Sequence, residues 1–439
     1  MGGEPATSIL GATSTIILGI LLFILPKRYA VIPLLLASFY LTIGVSFDIA
    51  NLNFYSIRIL ILFALARMII RRDYHPIKIN SMDKVLAIWV ITGVVIYTIL
   101  YQTTNAFIYK MGHAYNALGL FLFFRCYVVD IQDIRRIIAL ISIFIIPLAI
   151  LMLIEKKTGV NPFYLFGGVP KFSQIREGQV RCQGPFRHPI MAGTFGATLA
   201  PLIFSLWWEK NRKIVALIGG VSALGVLYAS SSSGPLMSFF VGIIGLAMWP
   251  LRGRMRQVRI ALLFVLLFLH IFMNAPVWYL SARISEKIGG TGWYRANLIE
   301  QAINHFDEWW LIGTKVTIHW MPYNPLAGEP NKADITNQYI GEGVNGGLLT
   351  LILFVSVIVM GFKYVGRALS RMKTGIFEDQ FLVWALGATL LTHAVSYTSV
   401  SYFDQIVVLW FMLLAIISNL AGQTGNDRWK PVEYREVSA

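Results

Sequence analysis

The 439-residue chain is 56% hydrophobic and only 13% charged, with a mean hydropathy of +0.64, which excludes an ordinary water-soluble globular fold. Its 37 Lys and Arg against 22 Asp and Glu give a formal charge of +15. In a soluble protein that excess would point to nucleic acid; here it sits in connections between apolar runs, where membrane topology accounts for it, and no nucleic-acid partner is expected. No glycine-rich loop followed by Lys-Ser or Lys-Thr occurs, which argues against an ATP-driven pump.

Crossing a hydrocarbon core of about 30 Å takes roughly 20 apolar residues as a helix. About thirteen such runs follow one another: 7–25, 30–47, 54–70, 83–101, 106–124, 134–154, 189–208, 213–230, 234–250, 258–274, 338–362, 381–399 and 404–421. The expected fold is therefore all-α and polytopic, with about 12–13 transmembrane helices. The first run has no positive region before it and no small-residue cleavage site, so it reads as a retained helix rather than a signal peptide. Arg and Lys fill every second connection: Lys27/Arg28, Arg71/Arg72/Lys78, Arg125/Arg135/Arg136, Lys210/Arg212/Lys213, Arg252/Arg254/Arg256/Arg259, Lys363/Arg367/Arg371/Lys373 and the tail with Arg428, Lys430 and Arg435. The positive-inside rule makes these cytoplasmic and puts the alternate connections outside, including two long polar loops, 155–188 and 275–337. Thirteen crossings place the N-terminus outside and the C-terminal tail inside.

The resulting organisation is an N-terminal bundle (1–154), a basic outer loop (155–188), central helices (189–274), a large outer loop (275–337), C-terminal helices (338–421) and a tail (422–439). Cys126 and Cys182 fall on opposite sides, which excludes a disulfide between them, and neither suggests a metal site. No internal repeat of the kind found in many transporters occurs.

In loop 155–188, Lys156, Lys157, Lys171, Arg176, Arg181 and Arg187 outnumber Glu155 and Glu177 on the side where basic loops are disfavoured. That excess asks for an anionic ligand. The loop ends in Arg181-Cys182-Gln183-Gly184-Pro185-Phe186-Arg187-His188-Pro189, where Pro189 suits the first turn of a new helix. Arg187 and His188 then stand at a helix N-terminus that already favours an anion, and Arg181 can add a bidentate phosphate contact; snorkelling at the interface is the competing reading for each. Further on, 292–303 has helical apolar spacing, leads with Trp293-Tyr294-Arg295 and is expected to lie as an amphipathic helix on the outer surface. Trp309-Trp310-Leu311-Ile312-Gly313 follows, and an aromatic belt at the interface explains its tryptophans. The third stretch, Asp334-Ile335-Thr336-Asn337-Gln338-Tyr339-Ile340-Gly341-Glu342, enters the next helix with Glu342 about one turn inside, expensive there unless it faces a cavity or makes a structural hydrogen bond. The glycines behind it also suit close helix packing.

At these stretches, across about residues 180–420, the chain resembles the O-antigen ligase and Wzy-type O-antigen or exopolysaccharide polymerase superfamily of bacterial inner membranes. The Arg-x-x-Gly-x-Phe-x-His-Pro text is matched by Arg181 to Pro189, and the Ser-Arg-Gly or Ser-Ser-Gly-Pro text is similar to Ser231 to Pro235. The Arg-led helix ending near Leu-x-Gly is similar to Arg295 through Gly313, and the loop-closing His-x-x-Asn-x-Tyr text to Asp334 through Gly347. Two departures stand out: Asp334 and Thr336 occupy the region where the family often has histidine, and no Arg follows Ser232. A mechanism that needs that histidine as base does not carry over.

The resemblance implies a GT-C-like architecture and glycosyl transfer at the periplasmic face of the inner membrane. The donor would be an undecaprenyl-pyrophosphate-linked oligosaccharide, the acceptor a sugar hydroxyl, with no cofactor or required metal and with membrane lipids and chain-length regulators as partners. Arg181, Arg187, His188 and Arg295 would hold the pyrophosphate, Asp334 or Glu342 would receive the proton, and Asn337, Gln338 and Tyr339 would bind sugar hydroxyls. A lipid-linked repeat as acceptor makes a polymerase and lipid A core a ligase; the absent histidine pair favours the polymerase. An exporter without catalysis is the reading from a different class. It predicts polar groups on both leaflets, whereas Arg58, His270, His393 and Asp404 fall in or near the outer halves.

Overall fold

The computed structural model describes residues 8–42, 44–49, 52–288, 291–323 and 325–422. The tail expected beyond residue 422 lies outside the described residues. Sixteen helices are present among them: α1 (Ile9–Ile24), α2 (Ile32–Tyr40), α3 (Ser56–Arg71), α4 (Ser81–Tyr101), α5 (Thr104–Tyr127), α6 (Ile131–Thr158), α7 (Pro189–Ser205), α8 (Lys213–Ser230), α9 (Ser233–Ala247), α10 (Met255–Phe272), α11 (Leu280–Ile288), α12 (Gly292–Asn304), α13 (Phe306–Trp309), α14 (Gln338–Arg371), α15 (Phe377–Ser396) and α16 (Ile406–Gly422). The only described strands form three two-stranded hairpins: β1 (Ser46–Ile49) with β2 (Leu52–Tyr55), β3 (Gln174–Arg176) with β4 (Gln179–Arg181), and β5 (Pro325–Leu326) with β6 (Glu329–Ala333). The fold is all-α, and six of its helical segments are long and apolar enough to cross a membrane: 81–101, 131–158, 189–208, 213–230, 249–272 and 338–371. This is a multi-pass membrane protein. Three shorter apolar helices accompany the six.

Every expected apolar run carries helix, but the run 30–47 does not cross as one. Its helix α2 has nine residues, about 14 Å of length at 1.5 Å per residue, roughly half a hydrocarbon core. The chain then leaves the helix at Leu41, and Leu41, Thr42 and Val45 are buried outside any helix, with Val45 N donating back to the Thr42 carbonyl at 3.3 Å. Non-helical backbone at that depth must find partners inside the protein. Gln405 Nε2 donates to the Leu41 carbonyl at 2.6 Å, and Thr42 Oγ1 donates to the Gly167 carbonyl at 2.7 Å.

The described basic connections gather at one end of the bundle, and several arginines there are tied by charge to another helix end. Arg125 at the end of α5 pairs with Asp83 at the start of α4 at 2.7 Å, and Asp83 accepts from Ser418 near the end of α16 at 2.6 Å. Asp83 also completes a capping box with Asn80. Arg135 at the start of α6 pairs with Asp379 at the start of α15 and with Glu209 at 2.8 Å in the turn before α8. Arg67, fully buried near the end of α3, pairs with Asp73 and donates to the Leu22 carbonyl of α1 at 2.6 Å. Arginines expected to mark a membrane side thus also fasten the helices there.

Helix α14 is interrupted at Gly347, whose φ of +69° leaves the helical region. Residues 310–314 of the preceding loop fill the break: Leu348 N donates to the Trp310 carbonyl at 2.7 Å and Thr314 N to the Val344 carbonyl at 2.9 Å. A side chain at 347 would bring its Cβ to 2.3 Å from the Leu311 carbonyl oxygen, and one at 313 would lie 2.2 Å from that of Val344. The glycines therefore serve a discontinuous helix sealed by a loop, rather than helix-on-helix packing. Gly347→Ala should lower stability by roughly 2–4 kcal/mol, combining left-handed strain and overpacking. Gly366→Ala, with open space around it in the same helix, should be neutral or stabilising. Thermal unfolding in detergent compares the two; equal melting of wild type and Gly347→Ala would show that the break is not required.

The large loop has its own core. Leu298 and Ala302 of α12 pack with Trp309, Trp320, Met321, Ala333, Ile340 and Val344. Helix α12 is where its periodicity put it, but its apolar face turns inward onto this core. Trp309 is buried with Nε1 donating to the Ala302 carbonyl at 2.7 Å, so it is a core residue and not part of an interfacial belt; Trp310 is exposed.

Candidate active site

At the end of the bundle opposite the basic connections lies a cavity of about 2260 Å³. It is bounded by the end of α4 and start of α5, the β3–β4 hairpin, the α8–α9 turn, α12, residues 314–336 of the large loop and the start of α14. Its volume exceeds the roughly 300–1,000 Å³ of sites for small ligands.

One wall is cationic. The sequence Gln-Ile-Arg-Glu-Gly-Gln-Val-Arg folds as a hairpin because Glu177 and Gly178 take positive φ, +52° and +71°, the pair of values a tight two-residue turn needs. The register pairs Gln174 with Arg181 and Arg176 with Gln179, so period-two alternation puts Arg176 and Arg181 on one face of the hairpin. Both line the cavity, as does Arg295 from α12.

Between α8 and α9 the chain turns sharply at Ser231, φ +44°. Ser232, at the N-cap of α9, makes no side-chain cap; its hydroxyl accepts from Arg181 Nη2 at 3.0 Å and donates to the Ser230 carbonyl at 3.0 Å. The Arg295 guanidinium lies over the first turn of the same helix, where a Cβ on Gly234 would stand 3.0 Å from Nη2. Arg181 Nε is buried with no hydrogen-bond partner, and the Arg295 guanidinium has no acid paired with it among the described residues. Burial, reinforced by Arg176 and Arg181, holds Arg295 down at about 10 from an ordinary 12.5; burial and Arg176 lower Arg181 as well. Arg176 is exposed and pairs with Glu177 at 3.4 Å, whereas holding the half-buried Arg181 and Arg295 together at a helix N-terminus is costly until an anion arrives.

His188 lines the same cavity from the N-cap of α7. Its Nδ1 accepts from Ile190 N at 3.2 Å, which leaves the proton on Nε2. Burial and the neighbouring Arg181 hold its pKa at about 4, so the ring is a neutral donor near pH 7.

Asp334 and Glu342 also line the cavity. The Asp334 carboxylate has no hydrogen bond or ion pair among the described residues, and burial raises its pKa; only its carbonyl is engaged, by Tyr294 Oη at 2.6 Å. Glu342 is fixed: Trp89 Nε1 donates to Oε2 at 3.1 Å and Gln338 Nε2 to Oε1 at 2.7 Å, with the half-buried Lys110 ammonium as the nearby positive charge. Beside them Tyr97, Tyr101 and Tyr109 form an aromatic strip, with ring centroids 4.4 and 5.9 Å from Tyr97. Lys110 sits over Tyr97 at 4.7 Å and Lys332 over Tyr101 at 5.0 Å.

The structure thus brings Arg181, His188, Arg295, Asp334, Gln338 and Glu342 to one cavity and leaves three expected residues out of its lining. Arg187 donates from its backbone N to Asp404 Oδ2 at 2.6 Å, and its guanidinium stacks over Tyr55 at 5.3 Å. Asn337 caps α14, accepting from Tyr339 N at 2.9 Å and Ile340 N at 3.2 Å. Tyr339 donates from Oη to the Ala394 carbonyl at 2.8 Å and packs on Phe354 and Tyr397. Gln338 lines the cavity, but its amide spans Glu342 and the Tyr402 N–H, so its geometry orients the carboxylate rather than leaving both ends for a sugar. From sequence, Arg176 stands out only as one of the loop's basic residues, and Lys110, Trp89 and the tyrosine strip do not stand out. The hairpin pattern around Glu177-Gly178 could have pointed to Arg176; Lys110 falls inside the apolar run 106–124, where one lysine near the outer end reads as snorkelling, and only the helix that starts at Thr104 turns it to the cavity. Compared with known proteins, the chain matches no family and no curated protein.

Proposed function

We propose that the chain is a lipid-linked-oligosaccharide-dependent glycosyltransferase of GT-C-like architecture in a bacterial inner membrane. It would polymerise undecaprenyl-pyrophosphate-linked repeats into O-antigen or exopolysaccharide at the periplasmic face. The observation that carries this reading is the pair of half-buried guanidiniums, Arg181 and Arg295, at the α9 N-terminus, in one cavity with Arg176, Asp334 and Glu342. An exporter would need polar groups along a path to both ends; these line a single end.

In the reaction, an acceptor hydroxyl oxygen attacks the anomeric carbon of the donor sugar. The bond from that carbon to the pyrophosphate oxygen breaks, its electron pair leaves with the pyrophosphate, and the hydroxyl proton passes to a carboxylate. The arginines offset the charge that grows on the leaving group. Asp334, whose carboxylate has no partner among the described residues, suits the proton acceptor; Glu342, held by two hydrogen bonds, suits orientation of the acceptor. The tyrosine strip offers flat apolar faces to sugar rings.

Purified protein in detergent, incubated with lipid-linked oligosaccharide and no nucleotide, should give a ladder of longer glycans on a gel. Transfer only when lipid A core is added would make it the ligase. No product under either condition would overturn the glycosyl-transfer reading.

A further inference from the structure

The rim of the cavity carries a second cluster that the transfer chemistry does not use. We propose that His305, Glu308 and His319 bind a zinc-class divalent cation that clamps the large loop. One donor atom from each lies within 4.8 Å of the others. Zinc bonded to nitrogen and oxygen at about 2.0–2.2 Å holds neighbouring donors roughly 3.3 Å apart, so side-chain rotation alone can close the site.

The surroundings are those of an oriented ligand set. His305 Nδ1 lies 2.9 Å from the Gln301 carbonyl; a carbonyl only accepts, so Nδ1 carries the proton and the Nε2 lone pair is available to a metal. The same ring stacks on the buried Trp320, centroids 5.6 Å apart at 23°. Glu308 Oε1 is 2.9 Å from His319 Nε2, and Trp320 Nε1 donates to Glu308 Oε2 at 3.1 Å, an outer partner that steadies the carboxylate. Without metal, His319 donates its Nε2 proton to Glu308. On binding, that proton shifts to Nδ1 through solvent and the Nε2 lone pair goes to the ion, with no net proton lost from a neutral ring.

Two imidazoles and one carboxylate suit zinc and leave a fourth position for water, whereas calcium and magnesium prefer oxygen donors throughout. The placement gives the ion a task. His305 and Glu308 precede residues 310–314, which seal the break in α14, and His319 follows them on the cavity wall. An ion joining the three would fix both ends of that seal.

The test uses the full chain without a histidine tag, stripped with chelator, incubated with Zn²⁺, desalted and assayed for bound metal. Roughly one zinc per chain is expected, with Ca²⁺ not retained. His305→Gln with His319→Gln should lose the zinc, Glu308→Gln should weaken binding roughly 10- to 100-fold, and zinc should slow proteolysis within 310–323 in the unmodified chain. Equal zinc in wild type and in a double variant of unchanged elution and circular dichroism overturns the proposal, as does equal retention of Ca²⁺. Should the double variant misfold, His319→Ala at its exposed ring gives the same comparison. The readout needs no glycan, so it stands or falls separately from the transfer assay.

Discussion

Arg295→Ala should lower the rate of glycan lengthening at least roughly 100-fold, and Arg181→Ala by a similar factor, because each removes a charge-assisted donor where leaving-group charge grows. Arg187→Ala should cost less than about threefold. It keeps the backbone N–H bonded to Asp404 and loses only a stacking contact on Tyr55, worth about 0.5–1 kcal/mol spread over folding rather than the reaction. Lys at 181 should recover part of the activity, since the charge returns but the fork between Ser232 and the ligand does not. The loss at 295 should fall mainly on kcat, because an interaction that strengthens as the pyrophosphate departs is made in the transition state. The measurement is initial rate against donor concentration for the three variants. Equal losses at 187 and 295 would place the anion elsewhere.

The contrast between Arg187 and Arg176 shows where sequence reasoning succeeds and where it stops. Long apolar runs announce α4, α6, α7, α8 and α14 because burial in lipid leaves few other uses for such runs. The arginine-rich text before α7 is equally visible, but spacing along a loop does not say which side chain turns to the cavity. Arg187 is turned away because its backbone N–H is bound by Asp404, 217 positions later in the chain. Arg176 is turned in because a two-residue turn sets the hairpin register. Glu342 was legible as an expensive group inside a helix; its partner Trp89 was not, since a tryptophan in an apolar run has many ordinary uses. The seal of α14 by residues 310–314 was out of reach for the same reason. Gly313 and Gly347 are conspicuous separately, and only the fold shows that one fills the gap the other opens.

Asp334 and Glu342 should separate by the kind of loss they cause. Asp334→Asn should lower kcat by roughly 10²–10⁴, the usual worth of a positioned general base. In wild type the rate should fall with decreasing pH as Asp334 protonates at a pKa that burial has raised, and that acidic limb should vanish in the Asn variant. Stability should move in the opposite direction. A carboxyl with a raised folded pKa contributes stability that is full below its unfolded value and lost as pH rises through the folded one, so Asp334→Asn should gain relative stability towards neutral pH. Activity that needs the ionised form and folding that prefers the neutral form give opposite slopes, which a merely structural Asp334 would not. Trp89→Phe tests Glu342 without removing it: the indole donor to Oε2 disappears while Gln338 and Lys110 stay, so the rate should drop about tenfold with the acidic limb intact. Unchanged polymer from both Asp334→Asn and Glu342→Gln would sink the carboxylate mechanism, and loss of the acidic limb in Trp89→Phe would transfer the base from Asp334 to Glu342.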